Sequence, residues 1–114
     1  MSSYYESEDL KKFGDIGQHA KSLADDFFKY YGNVTGTDGA LSKREKALIA
    51  LAVSHAQKCP YCIDHHVKSA LKLGATEAEI NEAVLVAIAL SAGAAYTHAG
   101  MALDAIDETG APAQ

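Results

Sequence analysis

Two short stretches fix where helices of this chain begin. Ser42-Lys43-Arg44-Glu45 and Thr76-Glu77-Ala78-Glu79 both match the S/T-x-x-E capping box. In that box the first and last side chains each satisfy a backbone N–H that the opening turn of a helix leaves free. Behind the first box Leu48, Ile49, Leu51, Ala52 and Val53 form an apolar face, which predicts a helix to about Gln57. Behind the second, Ile80, Ala83, Val84, Ala87 and Ile88 recur at helical spacing. No segment alternates with period two between hairpin turn residues. The chain reads as all-α.

Between the boxes, Pro60 restrains Cys59 from helical geometry and itself suits the first helical position. Cys59 is thus expected at the N-cap, Pro60 at N1 and Cys62 at N3, with the helix reaching about Leu73 and stopping at Gly74. Upstream, helices are expected over 7–12 and 17–31, followed by the Gly-rich connector GNVTGTDGA. Phe27, Phe28, Tyr30 and Tyr31 at helical spacing are expected in the core. A last helix is expected after an interruption at Gly93, carrying Tyr96, His98, Met101 and Leu103, and the tail DETGAPAQ is expected to fray. The chain of 114 residues is one domain. It divides into an N-terminal helical extension and connector (1–40), a core (41–106) and a tail (107–114). The run 83–95 is apolar nearly all round and must be covered, as a central core helix or, the reading favoured here, as a subunit interface.

Net charge is −5, and the Lys and Arg residues are scattered rather than gathered in a stripe. That excludes the electrostatic footprint of a nucleic-acid or anionic-membrane binder. The N-terminus MSSYYESEDLKK has no apolar signal region. The run 83–95 falls short of the ~18 residues of a membrane helix. The expected location is the cytoplasm, where a cysteine pair is catalytic or metal-binding more often than a permanent staple.

The segment KCPYCIDHH concentrates this chemistry. Structural zinc needs four ligands. Cys59, Cys62 and His66 could supply three, and His19, His55, His65 and His98 are the candidates for a fourth. No second paired cluster matches the first. A thioredoxin-like site places its CxxC after a strand, whereas a helical pattern precedes this one. A helical thiol peroxidase needs a thiolate, which a helix N-terminus favours. It also needs a second thiol to trap the sulfenic acid and a group to move protons. Cys59, Cys62 and His66, the last one helical turn beyond Cys62, meet those needs. Cap position favours Cys59 as the attacking thiolate and the neighbouring His66 favours Cys62; spacing leaves the choice open.

The stretch LSKREKALIALAVSHAQKCPYCIDHHVKSALKLGATEAEINEAV, residues 41–84, resembles the AhpD-like branch of the carboxymuconolactone decarboxylase superfamily. A looser similarity extends to about Gly100. CxxC-x3-H on an all-α background, then a G-A-T-x-x-E-I turn, is a specific combination. More loosely, with DLKKFGDIG and FFKYYG, the whole chain resembles small peroxidase-like proteins associated with arsenosugar biosynthesis. The resemblance implies a helical bundle round a central hairpin, assembled as trimers or hexamers. It implies hydroperoxide reduction through a redox-active Cys59–Cys62 disulfide, with Cys62 peroxidatic, Cys59 resolving and His66 in the proton relay. Decarboxylases proper lack the cysteine pair. The relay glutamate usual in that family is replaced here by Ala47. Glu45 and His55 are the candidate substitutes; Glu45 is better explained as a cap, and His55 equally by the dipole of its helix end. His65 is expected to face solvent or an interface. Tyr61 is expected as a pocket wall, and Tyr96 and His98 as outsiders to the site.

No bound cofactor or metal is expected. With no further cysteine and no nucleotide motif, the disulfide needs an external dithiol, of the lipoyl-domain or thioredoxin-like class. The rival readings are a module binding thiophilic species such as trivalent arsenic, a structural zinc protein and a general disulfide reductase.

Overall fold

The computed structural model describes residues 6–112, with side chains throughout except at 7, 10, 11 and 13. A 3-10 helix, Ser7–His19, is followed by α1 (Lys21–Thr35), α2 (Lys43–Ala56), α3 (Pro60–Lys72), α4 (Glu77–Thr97) and α5 (Ala99–Glu108). There is no strand among the described residues.

Both capping boxes form with reciprocal bonds. The Ser42 side chain accepts from Glu45 N–H and the Glu45 carboxylate from Ser42 N–H; Thr76 and Glu79 do the same at α4. Arg44 and Glu79 pair across the two helix starts, which holds the N-terminal ends of α2 and α4 together. Cys59 is the N-cap of α3 and Pro60 its first residue. Lys58, at φ 54°, turns the chain sharply between α2 and α3 in a conformation few non-glycine residues adopt. Gly74, at φ 89°, ends α3: the N–H of Ala75 returns to the carbonyl of Ala70 at 3.0 Å, a 6→1 closure that needs the left-handed region.

The core lies where α2, α3 and α4 meet. Leu51 and Ala70 are fully buried there with Ala47, Ala75 and Ile80, and Leu48, Val67 and Leu73 pack round them.

Several boundaries and burials differ from the sequence expectation. Residues 7–12 belong to a longer 3-10 helix rather than an α-helix. Gly14 and Gly17 lower helix propensity there, and a Cβ at Gly17 would stand 2.6 Å from Ala24 Cβ, so this segment approaches α1 closely. α1 is shifted to Lys21–Thr35 from the expected 17–31. Gly93 does not interrupt α4, which continues to Thr97 and breaks at His98. One interior glycine costs about 1 kcal/mol, and the alanines and leucines flanking it are strong helix formers. Tyr96 therefore belongs to α4. The tail is helical to Glu108, and 113–114, like 1–5, lie outside the described residues.

The aromatic residues of α1 are not core: Phe27, Phe28 and Tyr30 are exposed, and α1 buries no residue. In the run 83–95 only Ala87 is buried, while Leu85 and Leu90 are more than half exposed. The reason is geometric: the protomer has too few other elements to cover α4 beyond its first three turns. The helical run 77–108, with mean hydropathy 1.5 over its most apolar stretch, is by length and composition long and apolar enough to cross a membrane. The run 83–95 alone falls short of that length; the helical run that contains it does not.

Candidate active site

Cys59 and Cys62 are joined as a disulfide, with Cα atoms 5.2 Å apart, as a cap residue and the third residue of the same helix must be. The Cys62 N–H also points at Cys59 Sγ, 3.2 Å away. A backbone N–H so placed favours negative charge on a reduced Cys59.

The two sulfurs are not equivalent in their surroundings. Cys62, and not Cys59, lines a cavity of about 640 Å³ between the start of α3 and the N-terminal segment. Phe27, Phe28, Tyr31 and Tyr61 form its aromatic wall, and His65 and His66 complete it beside the cysteine. The Tyr61 hydroxyl donates to Asp9 at 3.3 Å, and Asp9 pairs with Lys12 at 3.0 Å, so the 3-10 helix is tied to this wall.

His66 is 7% exposed. Its Nε2 lies 2.7 Å from the Tyr31 hydroxyl, and the two rings lie 6.2 Å apart at a shallow tilt. Burial pushes the His66 imidazole below its ordinary value, with the adjacent His65 adding in the same direction. A neutral, proton-accepting His66 at neutral pH follows. Burial likewise raises the Tyr31 phenol, keeping it protonated. His65, exposed, meets His66 edge-on with ring centres 4.9 Å apart. Asp64, buried on the same helix, pairs with Lys68 at 2.6 Å.

The structure thus brings Cys59, Cys62 and His66 together. It does not bring in the other two candidates. Glu45 sits in the first turn of α2 with its carboxylate committed to the cap, and the Ser42 backbone N–H holds it below the usual carboxylate range. His55 is half-buried near the other end of α2, its Nδ1 2.9 Å from the Leu51 carbonyl oxygen, and it does not line the cavity. His98 bonds back to the Ala94 carbonyl oxygen at 2.7 Å, and neither it nor the exposed Tyr96 reaches the site. Among the described residues no group of three His, Cys, Asp or Glu could hold a metal ion.

Tyr31 is the residue that sequence reasoning missed. Its helical spacing with Phe27 matches a core face equally well; the available signal is that Tyr carries a hydroxyl which must find a partner when its ring is half-covered.

An all-helical chain with a disulfide at a helix N-terminus, and a buried histidine one turn on, fits the AhpD-like type of helical protein. The chain belongs to the carboxymuconolactone decarboxylase family, whose sequence pattern matches residues 22–105. It is 52% identical over 95 residues to uncharacterized protein 4 in the cox locus of Paracoccus denitrificans, covering 83% of this chain and 85% of that one. It is 30% identical over 97 residues to an uncharacterized protein of Cupriavidus necator, covering 85% of each chain. Among solved structures, a Methanobacterium thermoautotrophicum protein superposes with a TM-score of 0.67 at 36% identity, covering 74% of this chain and 93% of that one. A carboxymuconolactone decarboxylase family protein from Legionella pneumophila, in its apo form, superposes with a TM-score of 0.68 at 32% identity, covering 90% and 91%.

Proposed function

We propose that the chain is a cytoplasmic alkyl hydroperoxide reductase working through a Cys59–Cys62 disulfide cycle. The observation that carries this reading is the shared cavity: Cys62 opens on an aromatic chamber with a buried histidine and a tyrosine hydroxyl beside it, whereas Cys59 does not. In the reduced protein His66 takes the Cys62 thiol proton. The thiolate attacks the terminal peroxide oxygen, the O–O bond breaks, and the alkoxide leaves as an alcohol with the proton returned through His66. Cys62 is then a sulfenic acid. The Cys59 thiolate attacks its sulfur, the hydroxyl leaves as water with one further proton, and the disulfide closes. Two electrons from an external dithiol, of the lipoyl-domain or thioredoxin-like class, reopen it. The chain holds only two cysteines and so has no third thiol for that step.

The reading includes a homo-oligomer, a trimer or hexamer. The protomer exposes 8669 Å² against roughly 6,000 Å² for a compact 12.0 kDa monomer. Its radius of gyration is 19.4 Å against about 13 Å for a compact chain of this length.

The test is stopped-flow oxidation of the reduced protein by one equivalent of cumene hydroperoxide, with mass spectrometry of the product. Rapid disulfide formation in the wild type, no reaction in Cys62→Ser and a trapped sulfenic acid in Cys59→Ser are expected. Oxidation no faster than that of a free thiol of similar pKa overturns the reading. Tight arsenite binding by the dithiol without peroxide turnover would replace it with a thiophilic binding role.

A further inference from the structure

A second cavity, of about 280 Å³, lies behind His66, between the end of α1, the first half of α2 and α3. Its polar lining is one-sided. Lys43, Lys46 and Lys72 border it, with Ser69, His65 and His66, and no aspartate or glutamate does. None of the three lysines takes part in an ion pair among the described residues. Lys46 Nζ donates only to a neutral group, the Thr37 carbonyl oxygen, at 2.8 Å. Of the carboxylates neighbouring in sequence, Asp38 accepts the Lys43 backbone N–H at 2.8 Å and Glu45 the Ser42 backbone N–H at 3.0 Å, and neither is part of the lining. Three like charges round one small cavity repel each other, in a protein whose net charge is −5. Such an arrangement is a standing attraction for an anion.

The walls narrow the kind of anion. Ala47, Ala50 and Leu73 give the cavity an apolar side, against which a short hydrocarbon body can rest. No arginine lines it, so the forked donor geometry that suits phosphate is missing. A singly charged group with an apolar substituent fits best. We propose that this cavity binds a small organic carboxylate, seated among Lys43, Lys46 and Lys72 with an oxygen directed at the His65–His66 pair.

Such an anion acts on the group that serves the other cavity. His66 borders both. It faces the Tyr31 hydroxyl from α1, His65 on its own helix, and the lysines of α2 and α3 across this cavity. Burial and His65 depress its basicity. A carboxylate opposes both by favouring the imidazolium, and so makes His66 a stronger base toward the Cys62 thiol. Binding does not depend on the peroxidase reading; the effect on thiol oxidation rests on it.

The test reads the two separately. The His66 imidazole is titrated by NMR in sodium acetate and in sodium chloride at equal ionic strength. The expected result is an acetate-dependent, saturable rise of about one pH unit, lost in Lys43→Gln/Lys72→Gln. Ala47→Glu, which tethers a carboxylate at the cavity wall, should raise the same pKa without acetate and remove the response to it. Identical titrations in acetate and chloride, or an equal response in the double variant, overturn the proposal. If acetate moves His66 but no hydroperoxide is reduced, the site stands and the peroxidase reading falls. A hydroperoxide bearing its own carboxylate, compared with its methyl ester, identifies the source. Acetate stimulation of the ester alone means that the substrate's own carboxylate fills the site. Stimulation of both means a separate anion, and stimulation of neither overturns the effect on thiol oxidation.

Discussion

The Tyr31 hydroxyl and His66 Nε2 lie 2.7 Å apart, and this bond joins an N-terminal helix with no buried residue to the only helix that carries cysteines. A phenol can donate to a bare imidazole nitrogen or accept from a protonated one. The contact therefore survives when His66 gains a proton and when it loses it. Tyr31 is thus placed to hold the His66 ring in one orientation in either state. Tyr31→Phe should slow oxidation of reduced Cys62 by about tenfold while costing about 1 kcal/mol of stability. Single-turnover kinetics beside urea unfolding separate the two effects. An unchanged rate would leave His66 acting without Tyr31.

The pH dependence of the same step follows from burial. His66 is depressed in the folded protein, so the base is neutral across the neutral range, and the rate constant should fall as pH drops through a value below the ordinary histidine range. The sign for stability is the same. The folded state binds this proton less readily than the unfolded chain does, so the contribution is complete above the unfolded histidine value and is lost as pH falls. A rate profile that His66→Gln does not flatten would remove His66 from the relay.

Among the described residues Leu51 is the one large side chain buried completely, at the junction of α2 with α3 and α4. Leu51→Ala should cost about 2–5 kcal/mol, read from the urea midpoint. In a protomer with so small a core, that loss should be followed by loss of the Cys59–Cys62 geometry as well.

Much of this arrangement is legible in the sequence, because local chemistry decides it. The cap of α2 is written in Ser42 and Glu45, that of α4 in Thr76 and Glu79, and the placement of both cysteines at the head of α3 in Pro60. His66 follows from its distance along the same helix. Residues whose roles come from another element are not legible in this way. Tyr31 stands 35 positions before His66, and nothing in helical periodicity distinguishes an aromatic that walls a cavity from one that fills a core. Gly93 misled for the opposite reason: a weak local penalty was outweighed by its neighbours. For the apolar face of 83–95, burial depends on what surrounds the chain, which periodicity does not contain.

The pairing of Arg44 with Glu79 gives the helical hairpin an acid limit. The Arg44 guanidinium, and next the Thr76 backbone N–H, hold the Glu79 carboxyl down at about 2. A depressed carboxyl contributes stability that is complete above the unfolded glutamate value and is lost as pH falls toward the folded one. Stability of the wild type should therefore decline between about pH 4.5 and pH 2, and Glu79→Gln should be less stable at neutral pH but show a shallower decline. Because both side chains are substantially exposed, added salt should shrink the difference. Parallel slopes of urea midpoint against pH would mean that other carboxylates set the acid limit.

The exposed apolar surface of α4 and α5 is where the proposed oligomer would assemble. Leu85, Val86, Ile88, Leu90, Met101, Leu103 and Ile106 are all at least half exposed, and so much exposed apolar side chain on two consecutive helices marks an interaction face. Excess exposed area over a compact chain, roughly 2,700 Å² by the scaling of surface with mass, exceeds what one standard interface takes from each partner. Closed rings and stacked rings, which give each protomer more than one contact, suit the trimer or hexamer proposed above. Sedimentation equilibrium of the wild type should give a mass of three or six protomers with no monomer at micromolar concentration. Leu90→Glu places a charge on this exposed face, and should dissociate the proposed assembly while the helix content of α2 and α3 persists. A monomeric wild type that remains soluble would overturn the oligomer, and partition into detergent or lipid vesicles would assign the same surface to a membrane.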